Sequence, residues 1–313
     1  MLCIEARSLY KEYDSAPAVD KIDLAIKSGQ VFGFLGPNGA GKSTTIKLLT
    51  TLISPNSGNL RVLGIDALKD PLEIRKRIGV VLQQPSYEPT LSVEKSLDKY
   101  GMMWDVPIST RKDRVEQLLY DFDLADLRNK RNEDLSIGQR RRVQVAREFM
   151  HDMDLLFLDE PTLGLDPSAR RNLLNYLRKK VKTGLSIFYT THVLSEAEYL
   201  CDEIAIIHKG KIVSVSTPQQ IKNSLGHEKT IHIILTDKCE NLSSLLRNVS
   251  TESISVQNDR FITIKAKNSE IILMKILGIL HEHRIEIESL ELSHTNLEEV
   301  FLKIIENEDA SHS

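Results

Sequence analysis

Cysteine is scarce in this chain of 313 residues: Cys3, Cys201 and Cys239 lie far apart and form no C-x-x-C pair. That argues against a disulfide framework and a structural zinc site, and it suits a reducing, cytoplasmic compartment. A charge surplus is missing as well, with 41 Lys+Arg against 44 Asp+Glu and a net of −3. A nucleic-acid-binding protein would carry a basic excess, so no nucleic acid is expected among the partners. Long apolar runs are also absent. The longest, IILMKILGIL from Ile271 to Leu280, is interrupted by Lys275, whereas a bilayer span needs about 20 apolar residues. The opening MLCIEARSLY has neither the basic start nor the apolar stretch of a leader. Any work at a membrane is therefore expected to pass through a partner.

What is present begins with FLGPNGAGKST, Phe34 to Thr44. Gly36 to Ser43 fits G-x-x-x-x-G-K-[ST], the spacing of a phosphate-binding loop. Glycines let successive backbone N–H groups turn inward around an oxyanion. The helix starting near Lys42 aims its positive dipole end at the same point. Lys42 adds a full charge for the β- and γ-phosphates, and the Ser43 hydroxyl can reach a magnesium ion. Gly36, Pro37, Asn38, Gly39, Ala40, Gly41, Lys42, Ser43 and Thr44 are the expected phosphate cradle. The preceding QVFGFL, Gln30 to Leu35, is a short continuous apolar run, as in a buried parallel strand.

Further along, short β-rich runs alternate with turns, and from about Leu91 to Asp134 the pattern becomes helical and charged. DLLFLDEP and GLSIFYTTH read as parallel strands separated by the amphipathic ARRNLLNYLRKKV, and EIAIIHKGKIVSVS reads as a hairpin turning at Lys209-Gly210. STPQQIKNSLG starts a helix, with Thr217 as N-cap and Pro218 at the first position, and closes this part. Beyond it the segments read β-α-β-β-α-β, the ferredoxin-like order, before a last amphipathic stretch, NLEEVFLKIIE.

A phosphate-binding loop needs an acid for its magnesium, and LLFLDE places Asp159 at the end of a buried strand. Glu160 follows near the γ-phosphate, where a carboxylate can orient or deprotonate an attacking water. In DLSIGQRRRVQVAREFM, Ser136 and Gln139 form a capping box, while a helix N-terminus with a serine and the close-approach Gly138 is also an anion site. Arg140, Arg141 and Arg142 oppose that helix dipole, and a solvated face is expected for them.

The stretch Leu135, Ser136, Gly138 and Gln139 resembles the L-S-x-G-Q signature of ATP-binding cassette proteins, with Ile137 where a glycine is usual. The resemblance covers essentially the whole chain. It implies an α/β P-loop NTPase cassette with an antiparallel β lobe and a helical signature subdomain, over residues 1–226. A small α+β (ferredoxin-like) domain is expected over 227–313. By the same resemblance Tyr13 stacks on adenine, with Tyr10 as a rival, and Gln83 is the Q-loop glutamine, with Gln84 as a rival. Asp166 lies in the D-loop, and His192 is the switch histidine. Catalysis falls to Glu160, His192 and Gln83, and magnesium to Ser43, Gln83 and Asp159. Two cassettes are expected to close head to tail, ATP on one P-loop being covered by Ser136 and Gly138 of the other.

The tail LELSHTNLEEVFLKIIE resembles that of drug-resistance-type exporter ATPases, which pair with membrane permeases of the ABC-2 class. The implied partners are such a permease and a second ATPase subunit, with the protein peripheral on the inner face of the membrane. An importer ATPase with a regulatory domain and a soluble cassette ATPase are the alternatives. The segment after Gln83, with Tyr87, Tyr100 and Trp104, reads either as a docking groove for the permease or as ordinary helix packing. In the C-terminal domain, His281 and His283 point to different helix faces and so do not share a metal. Leu297, Val300, Phe301, Ile304 and Ile305 make an apolar stripe.

Overall fold

A computed structural model describes residues 1–224, 229–246, 249, 254–266, 269–294, 301 and 306. The chain divides into two compact units, Met1–Thr217 and Pro218–Ser313. The helix opening at Pro218 falls in the second of these units.

The first unit starts with two long strands, β1 (Leu2–Tyr13) and β2 (Ala16–Lys27), whose alternating burial reflects one covered and one wet face. With β4 (Ser57–Val62) and β5 (Ile65–Asp66) they form an antiparallel sheet in the order β2-β1-β4-β5. A second sheet takes β3 (Val31–Leu35), β6 (Ile78–Val81), β7 (Leu155–Asp159), β8 (Ser186–Thr191), β9 (Glu203–His208) and β10 (Lys211–Ser216) in the order β10-β9-β3-β8-β7-β6. All its pairings are parallel except the β9–β10 hairpin. That hairpin turns at Lys209-Gly210, both at positive φ, as a two-residue turn matched to strand twist requires.

Strands β3, β7 and β8 are buried along their whole length, which is why they read as unbroken apolar runs. Phe188 packs on Phe32, Phe34 and Phe157, with ring centroids 5.3–5.9 Å apart. The helices are α1 (Lys42–Leu49), α2 (Pro71–Arg75), α3 (Val93–Met103), α4 (Ile108–Asp121), α5 (Ile137–Glu148), α6 (Pro167–Lys182) and α7 (Leu194–Leu200). The topology settles where chemistry can occur. In β3, β8, β7 and β6, which lie side by side, the carboxyl ends run out into the P-loop, His192, Glu160 and the Gln83 segment. Ligands of open α/β sheets bind outside such ends.

The second unit opens with α8 (Pro218–Ser224) and continues as β11 (Lys229–Leu235), α9 (Leu242–Leu245), β12 (Ile254–Gln257), β13 (Phe261–Ala266), α10 (Ser269–Glu282) and β14 (Ile287–His294). Its sheet order β12-β13-β11-β14 sets β13 between β11 and β12, the split βαβ arrangement read from the sequence. Its core holds Ile231, Ile233, Ile262, Ile264, Ile276 and Leu280. Of the apolar stripe, Leu297, Val300, Ile304 and Ile305 lie outside the described residues. Among the described residues no helix is long and apolar enough to cross a membrane.

Candidate functional site

The loop from Gly36 to Gly41 leaves β3 and turns straight into α1. Gly41 has φ 107°, and a Cβ there would lie 2.3 Å from the Ala18 carbonyl oxygen, so only glycine fits. Lys42 is buried, its Nζ donating to the carbonyls of Gly36 at 2.7 Å and Pro37 at 3.2 Å. Burial holds its ammonium below the usual lysine range, while Glu160 and Asp159 pull it partly back.

The acids at the end of β7 are held from both sides. Ser43 Oγ donates to Asp159 Oδ2 at 2.8 Å, and Thr190 Oγ1 to Asp159 Oδ1 at 2.6 Å. Glu160 stands at φ 47°, a left-handed conformation that costs a non-glycine residue about 1–2 kcal/mol. Its N–H donates to the Thr190 carbonyl and hydroxyl, each at 3.1 Å. Glu160 Oε1 lies 3.1 Å from His192 Nδ1 and 3.7 Å from Lys42 Nζ. Gln83 Nε2 donates to Glu160 Oε2 at 3.2 Å. Lys42, Ser43, Gln83, Asp159, Glu160 and His192 are therefore assembled in one place. Between the rival glutamines, Gln83 reaches the acid, whereas the Gln84 carbonyl accepts from Gln144.

The other candidates stand apart from this cluster. Ser136 caps α5: its Oγ accepts from Gln139 N at 3.2 Å and Gln139 Oε1 accepts from Ser136 N at 3.0 Å. Ile137 beside it is 70% exposed, a bulky apolar side chain next to the signature serine. A Cβ on Gly138 would come within 2.6 Å of the Gly164 carbonyl oxygen, so the glycine lets the loop before Asp166 approach the signature helix. Asp166 caps α6 through Ala169 N at 2.9 Å, a bond that holds its carboxyl below the usual range. Tyr13 has a half-exposed ring with Lys11 Nζ 5.5 Å from its centroid, while the Tyr10 hydroxyl donates to Glu12 at 2.7 Å.

A family model described as ABC transporter matches residues 19–163. The linearmycin resistance ATP-binding protein LnrL of Bacillus subtilis is 31% identical over 303 residues, spanning 96% of this chain and 97% of the relative. The chain belongs to the ABC transporter family. The daunorubicin/doxorubicin resistance ATP-binding protein DrrA of Streptomyces peucetius is 35% identical over 304 residues, 96% of this chain and 92% of that one. Among solved structures, an ATP-binding subunit of an ABC transporter matches at a TM-score of 0.67 and 28% identity, over 72% of this chain and 93% of that one. This ABC protein binds ATP and hydrolyses it, as the ATPase subunit of its transporter.

Within this ABC protein one expectation from the sequence changes. The run Arg140–Arg142 is not a solvated face. Arg141 is buried with its guanidinium on main-chain carbonyls, Arg140 Nη1 donates to the Tyr87 hydroxyl at 2.6 Å, and Arg142 Nη1 donates to Asp123 O at 2.7 Å. Carbonyls at loop and strand ends accept from Arg141 and Arg142, and these bonds offset part of the cost of burying the charge. After Gln83, Tyr100 and Trp104 are packed, as one of the two readings of that segment has it: Tyr100 Oη donates to Glu148 at 2.9 Å, and Trp104 stacks on His151 at 4.0 Å. They still line a groove of about 520 Å³ with Leu52, Leu82 and Pro85. The sequence pattern did not single out Thr190 and Glu196. The Glu196 Oε2 accepts from Thr162, Tyr189 and Thr191 hydroxyls at 2.8–3.0 Å. The signal for Thr190 was its place in TTH, opposite Asp159 in the β7–β8 register.

Proposed function

We propose that this ABC protein powers export through a separate permease, which by the tail's resemblance is of the ABC-2 class, from the inner face of the cell membrane. Its relatives named for antibiotic resistance support that direction. Two ATPase subunits close on ATP, each P-loop nucleotide being covered by Ser136 and Gly138 of the other cassette, with Leu135 and Gln139 shaping that turn. Tyr13 takes the adenine, and residues Gly36 to Thr44 take the phosphates. Ser43 Oγ and Asp159 Oδ2, 2.8 Å apart, are two hard oxygen donors side by side and suit magnesium, which fills its remaining positions from phosphate and water. Gln83 completes that set. The ion supplies charge neutralisation on the phosphates when bound. Glu160 orients and deprotonates the attacking water, and His192 holds Glu160 and the γ-phosphate edge.

One observation carries this reading: three donors, Lys42, Gln83 and His192, converge on the Glu160 carboxylate at the γ-phosphate end of a P-loop. The groove by Tyr100 and Trp104 receives the permease, and the second unit steadies the pair of cassettes. Sizing chromatography of Glu160→Gln tests the closure. ATP with magnesium should move the variant from monomer to dimer, and a persistent monomer would remove the sandwich.

A further inference from the structure

The most heavily bonded buried charge in the first unit is Arg141, and it touches no carboxylate. Its Nη1 donates to the Leu82 carbonyl at 2.7 Å and to Gln144 Oε1 at 2.8 Å. Its Nη2 donates to the carbonyls of Asp159 at 2.6 Å and Glu160 at 2.9 Å, and its Nε to that of Pro161 at 3.2 Å. A guanidinium has five N–H donors in a rigid fork, so every donor finds an acceptor. Burial pushes the group down to about 10, still charged at neutral pH.

The acceptors are informative. Asp159, Glu160 and Pro161 are consecutive, and the middle one is the residue held at positive φ. Its N–H is fixed by Thr190 on β8, and its C=O by Arg141 on α5. A strained backbone persists only where its surroundings over-determine it, and these two anchors do that here. The Leu82 carbonyl immediately precedes Gln83, so one side chain also fixes the start of the segment that reaches Glu160 Oε2. Arg141 lies on the helix that Ser136 caps, about 7–8 Å along the axis at 1.5 Å per residue.

We propose that Arg141 is a positioning residue for hydrolysis, transmitting the placement of the signature helix to the backbone of Glu160 and to the root of Gln83. The transmission rests on the sandwich reading above: Ser136 meets nucleotide on the other cassette, while Arg141, on the same rigid helix, sets the aim of the acid on its own. Occupancy of one site is thereby felt at the other without any residue bridging them directly.

Arg141→Lys keeps the charge and loses the fork. Its kcat should fall about 10- to 100-fold, the scale of an ångström-sized misplacement, with KM for ATP within roughly twofold because the P-loop is untouched. In Glu160→Gln/Arg141→Lys, ATP-driven dimerisation should match that of Glu160→Gln alone. Unchanged kcat, or kcat, KM and dimerisation lost together, overturns the proposal; the second pattern marks Arg141 as structural only. Should Arg141→Lys not fold, Gln144→Met removes one of the five acceptors and should lower kcat roughly two- to tenfold, the worth of one hydrogen bond, again at constant KM; no change in kcat there overturns it equally. If Glu160→Gln stays monomeric with ATP, the sandwich fails and the transmission between sites fails with it, while the kcat of Arg141→Lys still judges the hold on Glu160.

Discussion

At the scale of single residues, Glu160 and His192 are separable by assembly rather than by size of effect. Glu160→Gln keeps the shape and removes the proposed base, so steady-state phosphate release should drop about 10²- to 10⁴-fold. His192→Ala removes a group 3.1 Å from the Glu160 carboxylate and should cost about 10²- to 10³-fold. The rates overlap, but Glu160→Gln should accumulate the ATP-bound dimer and His192→Ala should not exceed it. An equal rate in His192→Ala and the unaltered protein would leave the histidine without a part in the reaction.

At the scale of elements, the signature helix α5 is unusual on its inner side. Arg141, Gln144, Val145 and Glu148 are all buried, at i, i+3, i+4 and i+7, so polar groups occupy the stripe where periodicity expects apolar ones. Glu148 accepts from Tyr100 Oη and from the Val80 N–H, with Arg147 beside it. Burial still pushes its carboxyl above the ordinary 4.5. A raised acid binds more protons folded than unfolded, so its contribution is whole below about 4.5 and is lost as pH rises through the folded value. The melting temperature of Glu148→Gln minus that of the unaltered protein should therefore increase as pH goes from about 4.5 towards 7. A flat difference would mean that Glu148 titrates normally. The same helix shows what was legible from sequence. The P-loop, Asp159-Glu160 and His192 were legible because each follows an apolar strand, where position along the chain fixes position in space. The capping box at Ser136 was equally local. Arg141 was misread because its acceptors are main-chain carbonyls of residues 82 and 159 to 161, distant in sequence and carrying no side-chain signature.

At the scale of the whole molecule, the first unit has a core of its own, including Ile4, Leu24, Phe32, Ile46, Phe157 and Phe188. Truncation after Thr217 should therefore leave a folded ATPase. If the second unit steadies the pair of cassettes, specific activity of the truncated protein should fall steeply on dilution, since tethering at millimolar effective concentration is gone. The same concentration dependence in both proteins would leave that unit with another task. Coupling to the permease is tested at the groove rim, where Leu52 is 51% exposed. Leu52→Glu should abolish transport in reconstituted vesicles with basal ATPase kept, and loss of both would make the groove structural.

Lys42, Gln83 and His192 hang from the ends of three different strands, yet all report to two oxygens of one side chain. In circuit terms, the role proposed for Glu160 would make it a coincidence detector. Nucleotide arrives by way of the P-loop, the segment after β6 leads to the groove, and His192 opens the segment leading into α7. Each of the three segments brings one nitrogen to the same carboxylate. With Glu160 as the proposed base, the reaction would answer to the agreement of the three segments rather than to any one of them.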